Sequence, residues 1–405
     1  QARINWEVKF ARGGVGAIIS SFVPVQIRGR ILPNYATIDR DERIPFWREL
    51  GKRVHEHGSK YIVQLSHAGR QRDIGGIEFE KGLSSTDKPD PLHGFECERM
   101  TVAEIQETVT AFAQGARRAR EAGLDGIELH GANGYLITQF LSSATNDRKD
   151  EYGGKLENRA RFLLEVVVAI RAEVGNDFHL QVKISTTEYN NAMVPWEAPG
   201  NRLQDSIKVC QWLEEAGVDA LHVSTGSSFP HPRNPAGDFP VEEAAKTYDS
   251  MLSSGSRTLV NYLAFIGPAG QLYRALWLKA RGDVIEGINL PDSREVKKAV
   301  GIPVLCTGGF QTASVIRQAI ADGACDAVTI ARPLVANNDL VRMFAAGLDQ
   351  PSKPCTYCNK CLVNVLENPL GCYEESRYRS RQEMIREILS VYDPAPFSAG
   401  AAGPA

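Results

Sequence analysis

Glu121-Ala-Gly-Leu-Asp-Gly-Ile-Glu-Leu-His130 is the stretch that decides how this chain is built. It joins the end of an amphipathic run to a short apolar run through one glycine, Gly123. The same junction returns as Glu215-Ala-Gly-Val-Asp219 before Ala220–Ser224, and as Ala321-Asp-Gly-Ala-Cys-Asp326 before Ala327–Ile330. A glycine at a helix end, with a strand starting at once, is what a repeated β-α unit requires.

Working outward, seven nearly continuous apolar runs read as strands covered on both faces. They are Val15–Ser20, Tyr61–Leu65, Gly126–His130, Leu180–Ser185, Ala220–Ser224, Pro303–Thr307 and Ala327–Ile330. Helical patterns alternate with them: Phe46–His57, Val102–Ala122, Leu156–Val174, Leu203–Ala216, Ser293–Val300 and Ala313–Ala321, after an opening helix that includes Trp6–Ala11. Thr101 and Glu104 predict a capping box at the start of the second of these. Repeated β-α units make a parallel sheet. No Gly-x-Gly-x-x-Gly follows the first strand, which disfavours an open dinucleotide-binding sheet. The expected fold class is therefore α/β, a (β/α)8 TIM barrel whose first strand would lie before Gln1. Residues 1–350 are expected to form the barrel, with an inserted segment over 225–292. Residues 351–405 are expected to be a cysteine-containing extension ending in an Ala/Gly/Pro tail that reads as disordered. Active sites of such barrels sit at the carboxyl ends of the strands.

Composition narrows the function. The 405 residues are 43% hydrophobic and 23% charged, the balance of a globular protein. A net charge of −3 supplies no basic field, so nucleic acid is a poor partner. No run of about eighteen uncharged apolar residues predicts a membrane span, and no signal peptide opens the chain. The expected location is cytoplasmic. Of eight cysteines, Cys306 and Cys325 read as small buried hydrophobes. Cys355, Cys358, Cys361 and Cys372 are clustered, which in a reducing compartment points to metal or redox chemistry. Two long interruptions, 66–100 and 225–292, read as lids or interaction surfaces. The aromatic-rich stretch 259–279 reads first as packing or a subunit contact and second as membrane-surface docking.

The strand ends carry the chemistry. Gly308 and Gly309 after one strand, and Ala331 and Arg332 after the next, read as a phosphate site of backbone N–H groups and one arginine. His130, Asn133 and Tyr135 lie within six residues of a strand end. Two neutral donors can polarise a carbonyl oxygen and a phenol can deliver a proton. Gln64 and Lys183 offer an amide and an ammonium, which suit the pyrimidine edge of a flavin. Lys183 alone could also be a Schiff-base lysine.

Four segments together resemble the Old Yellow Enzyme family of flavin oxidoreductases. They are Gln64-Leu-Ser-His-Ala-Gly-Arg70, Asp125 to Tyr135, Asn146-Asp-Arg148 through Tyr152 to Glu157-Asn158-Arg159, and Ala331-Arg332-Pro-Leu-Val-Ala-Asn337. The likeness spans about residues 1–350 and implies bound FMN reloaded by NADH or NADPH. It implies Gln64 and Lys183 at the flavin ring, with Gly308, Gly309, Ala331 and Arg332 at its phosphate. It implies His130 and Asn133 on a substrate carbonyl oxygen, Tyr135 as proton donor, and reduction of the C=C bond of an α,β-unsaturated carbonyl compound. Cys355-x2-Cys358-x2-Cys361 with Cys372 resembles the iron–sulfur branch that includes 2,4-dienoyl-CoA reductase and trimethylamine dehydrogenase. That implies a [4Fe–4S] cluster, with zinc or an empty site as the other readings. Lys183 stands where many relatives have arginine, and Phe22 where relatives often have a small residue. About thirty residues follow Cys372, so a cluster would take its electrons from a partner protein, or the tail is a relic. Two other functions stay open: a flavin-dependent amine or ether dehydrogenase, and a non-catalytic barrel subunit of a larger assembly. A homo-oligomer and an electron-transfer protein are the protein partners considered.

Overall fold

The computed structural model describes residues 1–71, 81–91, 94–193, 195, 197–250, 252 and 256–392. The tail read as disordered lies outside them, as do parts of the two long interruptions. The described strands are β1 (Ala17–Ile19), β2 (Val23–Pro24), β3 (Lys60–Ser66), β4 (Gly82–Ser84), β5 (Cys97–Arg99), β6 (Gly126–Gly131), β7 (His179–Ser185), β8 (Ala220–Ser224), β9 (Val304–Thr307) and β10 (Ala327–Thr329). The main sheet runs β1-β3-β6-β7-β8-β9-β10, with β2 beside the end of β3. Every pairing is parallel. The seven predicted strands are those of this path, and helices of the predicted β-α order connect them.

β3 after its first residue, and β6 and β8 throughout, are buried, as parallel strands under helices must be. β10 is not: Ala327 is exposed, and Val328 and Thr329 are half-buried. β1 and β10 end the path, and no pairing joins them among the described residues. The seam therefore falls where an eight-stranded barrel has its first strand.

The repeated junctions have a physical cause beyond their glycines. Gly123, Gly217 and Gly323 take φ of 74°, 88° and 63°, a region open to glycine. The aspartate two or three residues later turns back onto the preceding strand. Asp125 Oδ2 accepts from the N–H of Tyr61 at 2.8 Å, Asp219 Oδ2 from Leu180 at 2.7 Å, and Asp326 Oδ2 from Val304 at 2.8 Å. Each carboxylate thus satisfies an N–H at the foot of one strand while its own residue opens the next. The capping box is present: Glu104 N–H donates to Thr101 Oγ1 at 3.2 Å, and Thr101 N–H to Glu104 Oε2 at 2.8 Å.

Both interruptions hold more structure than their sequence signals. The first contains the parallel β4–β5 pair. Its strands are three residues long and carry Ser84, Glu98 and Arg99, too short and polar for a periodic signal. The second forms helices Val241–Ser250, Ser256–Phe265 and Gly267–Arg281 around Phe239, Tyr248, Phe265 and Trp277. Trp277 Nε1 donates to the carbonyl of Gly237 at 3.2 Å, and Arg274 binds both oxygens of Asp238. No described helix is long and apolar enough to cross a membrane.

Candidate active site

A belt of polar side chains crosses the sheet interior one layer beneath the carboxyl rim. Gln64, Glu128 and Gln181 lie in register on β3, β6 and β7. Glu128 has no solvent exposure. Its Oε1 accepts from Gln64 Nε2 at 2.6 Å, and its Oε2 accepts from Gln181 Nε2 and lies 2.7 Å from His222 Nδ1. The other ring nitrogen of His222 is 2.8 Å from Thr329 Oγ1 on β10. Burial favours a protonated Glu128, but His222 first, then Lys183 and Gln64, hold its pKa down at about 2.

His130 and Lys183 are register partners two residues up the same strands, at the rim. Lys183 is half-buried, and its ammonium bonds to no described residue. Burial lowers its pKa, and the Glu128 carboxylate opposes that shift. His130 is buried, and its Nδ1 has no hydrogen-bond partner among the described residues. Burial, aided by the charge of Lys183, pushes its pKa well below the usual histidine value, so the imidazole is neutral near pH 7.

The chain then makes its sharpest turn. Asn133 and Gly134 both have positive φ, 64° and 82°. Asparagine tolerates that region, and a Cβ at Gly134 would lie 2.1 Å from the Ser227 carbonyl oxygen. The turn brings Tyr135 back against His130, with ring centroids 4.8 Å apart. Phe22 closes the group, 4.7 Å from the Tyr135 ring and 5.9 Å from that of His130. Asn133 is placed differently from His130. Its Nδ2 already donates to the Thr225 carbonyl at 3.1 Å and to Ser224 Oγ at 3.3 Å.

Behind this group, the segment Asn146–Arg159 acts as a clamp. Asn146 Nδ2 binds the carbonyls of Phe140 and Tyr152, Arg148 binds Asp150 and the Met100 carbonyl, and Arg159 Nε binds the Leu141 carbonyl. These bonds hold the helix Leu136–Leu141 that follows Tyr135. Gln139 on that helix ties Ser84, Arg70, Ala68 and Gly134 together, a role with no sequence signal.

At the last two strand ends, the backbone N–H groups of Gly308, Gly309, Ala331 and Arg332 donate to no described residue. The Arg332 side chain turns elsewhere. Its guanidinium donates to Asn359 Oδ1 at 2.5 Å and to the Ala236 carbonyl at 2.8 Å, and stacks 5.3 Å over the Tyr357 ring. It thereby lines one cavity with Cys355, Cys358, Cys361 and Cys372. Two ties fasten the cysteine loop to the glycine turn. Gln311 accepts from the Cys355 N–H at 2.9 Å and donates to the Cys355 carbonyl at 3.2 Å, while the Tyr357 hydroxyl donates to the Gly309 carbonyl. No three His, Cys, Asp or Glu side chains among the described residues stand close enough to share one ion.

Comparison with known proteins places this geometry. Residues 2–253 match the model of the NADH:flavin oxidoreductase / NADH oxidase family. The chain belongs to that family. An NADH oxidase of Thermoanaerobacter brockii is 32% identical over 390 residues, covering 93% of this chain and 52% of that relative. A cinnamate reductase of Clostridium sporogenes is 28% identical over 411 residues, covering 96% of this chain and 55% of that relative. A 2-naphthoyl-CoA reductase structure superposes with a TM-score of 0.72 at 24% identity, over 92% of this chain and 51% of that one, a likeness of fold. The chain thus spans about half the length of these relatives.

NADH:flavin oxidoreductases hold FMN and take electrons from a reduced nicotinamide nucleotide, and the residues present fit that flavin. At the rim, the ammonium of half-buried Lys183 and the Nδ1 of His130 have no partner among the described residues. Free backbone N–H groups stand at the last two strand ends. Both suit an anionic, hydrogen-bonding ligand of the family's kind.

Proposed function

We propose that this chain carries the FMN-binding barrel of an NAD(P)H-dependent enzyme that reduces the C=C bond of α,β-unsaturated carbonyl compounds. The observation that carries the reading is the buried His130 Nδ1, without a partner among the described residues, beside the Tyr135 phenol ring. An unmet buried donor or acceptor costs about 1–3 kcal/mol, which a bound substrate oxygen would remove. FMN would be held by Gln64 and Lys183 at its ring and by the backbone N–H groups of Gly308, Gly309, Ala331 and Arg332 at its phosphate, and would supply hydride storage between nicotinamide and substrate.

The chain's own residues do the rest. Neutral His130 donates a hydrogen bond to the substrate carbonyl oxygen and draws electron density from the β-carbon. Asn133 joins it by exchanging its long bond to Ser224. Tyr135 gives its phenolic proton to the α-carbon and regains one from solvent. Phe22 and Tyr135 wall the site with apolar surface and keep water from the reacting carbon. The name of the Clostridium sporogenes relative, a cinnamate reductase, is consistent with an unsaturated acid derivative as substrate.

Cys355, Cys358, Cys361 and Cys372 belong in this reading to a [4Fe–4S] cluster, a one-electron store beside the flavin phosphate end. Four sulfurs around one cavity support it, and Tyr357 N–H already donates to Cys355 Sγ at 3.4 Å.

Tyr135→Phe tests the reading. With the two half-reactions followed anaerobically by flavin absorbance, reoxidation by an enone should slow by about 100-fold or more. Reduction by NADH or NADPH should keep its rate. Equal loss in both would refute the role of Tyr135.

A further inference from the structure

We propose that Glu128 is the positioning residue of the flavin site: its buried carboxylate holds the Gln64 amide and the Lys183 ammonium in the state that meets the ring. The proposal rests on the reading that Gln64 and Lys183 contact FMN. Its own support is geometric. Glu128 sits between Gln64 and the β7 strand that bears Lys183, in register with both neighbours. By taking one amide hydrogen of Gln64 at 2.6 Å it fixes which end of that amide is carbonyl. The Gln64 oxygen and its second N–H are left for a ligand. Its second oxygen is pinned by Gln181 and His222, and His222 is pinned by Thr329 across the sheet. The carboxylate therefore cannot swing up to the rim and neutralise Lys183 by contact. It acts on Lys183 through the field, and the lysine keeps its donors free.

The groups facing Lys183 make the charge of Glu128 necessary. On β6 they are Glu128 and His130, and on β8 His222, its register partner. His130 and His222 carry no negative charge in any protonation state. Among the described residues, Glu128 is thus the anion that opposes the burial of Lys183. A neutral lysine in its place would bring no positive charge to the electron-rich edge of a reduced flavin.

Substitution with a binding readout tests this. FMN-loaded protein is diluted and released FMN is read by its fluorescence, for wild type, Glu128→Gln, Lys183→Met and the double variant. Glu128→Gln should weaken FMN binding about ten-fold. It should also make binding fall as pH is raised from neutrality, as the uncompensated Lys183 loses its proton. Wild type should stay flat over the same rise. Lys183→Met should weaken binding without a pH slope. The Glu128→Gln side chain still offers Gln64 an oxygen acceptor, so the double variant should bind no worse than Lys183→Met alone. The double variant buries neither charge, so it serves even if Glu128→Gln alone does not fold. Wild-type affinity and a flat profile in Glu128→Gln, with Lys183→Met impaired, would overturn the inference. So would losses that multiply in the double variant. Unchanged affinity in Lys183→Met would instead bring down the ring-contact reading, and this inference with it.

Discussion

Two buried titratable side chains near the site are driven to the same neutral state from opposite directions. His130 loses its proton to burial and to the nearby charge of Lys183. Glu188 keeps its proton because burial, only partly offset by Ser142, Asn201 and Arg159, raises its pKa from 4.5 to about 7. A carboxyl whose folded pKa lies above its unfolded one stabilises fully below the unfolded value. That stability is lost as pH rises through the folded value. The protein should therefore become less stable between about pH 4.5 and 7, and Glu188→Gln should flatten that slope in denaturant titrations. A slope unchanged by Glu188→Gln would remove Glu188 as its source. His130→Ala should weaken binding of a phenol or enone by about ten-fold, read from the perturbed flavin spectrum. Unchanged affinity would contradict its place on the substrate oxygen. The places of His130 and Lys183 on neighbouring strands and of Tyr135 just beyond one could be read from the apolar runs around them. The role of Glu128 could not, since one acid inside an apolar strand reads as an interruption until its register partners are known.

At the level of elements, the junction aspartates are the clearest test of how the sheet is assembled. Asp125, Asp219 and Asp326 each cap the foot of a neighbouring strand. Asp326→Ala would leave the Val304 N–H without its partner, at a cost of about 1–3 kcal/mol. A fall in denaturation midpoint, with no change in the slope against denaturant, would be the expected signature. An unchanged midpoint would show that water replaces the carboxylate. The strands and barrel helices were readable because continuous apolar runs alternate with amphipathic helical ones there. The β4–β5 pair was not, because its hydrogen bonds are made by residues that carry no apolar alternation. Arg332 shows the same limit. Its backbone lies where strand order predicts, yet its guanidinium is set by Asn359 and Tyr357, which no local pattern connects to it.

Over the whole molecule, the parallel order from β1 to β10 brings the strand-borne site residues toward one end of the sheet, and it leaves an exposed edge at β10. The inserted helices pack their aromatic side internally, while Leu259, Val260, Leu263, Leu272 and Leu276 remain about half exposed or more. Barrel order could be read from the three junctions, whereas for that apolar face sequence shows only that it is apolar. The central claim is that this rim grips a flavin by its ring and its phosphate. The visible spectrum of the purified chain, recorded before and after anaerobic NADH or NADPH, tests it most directly. A flavin band in proportion to the protein, bleached by the nucleotide, is the predicted result. A colourless chain that takes up no FMN on reconstitution would contradict it.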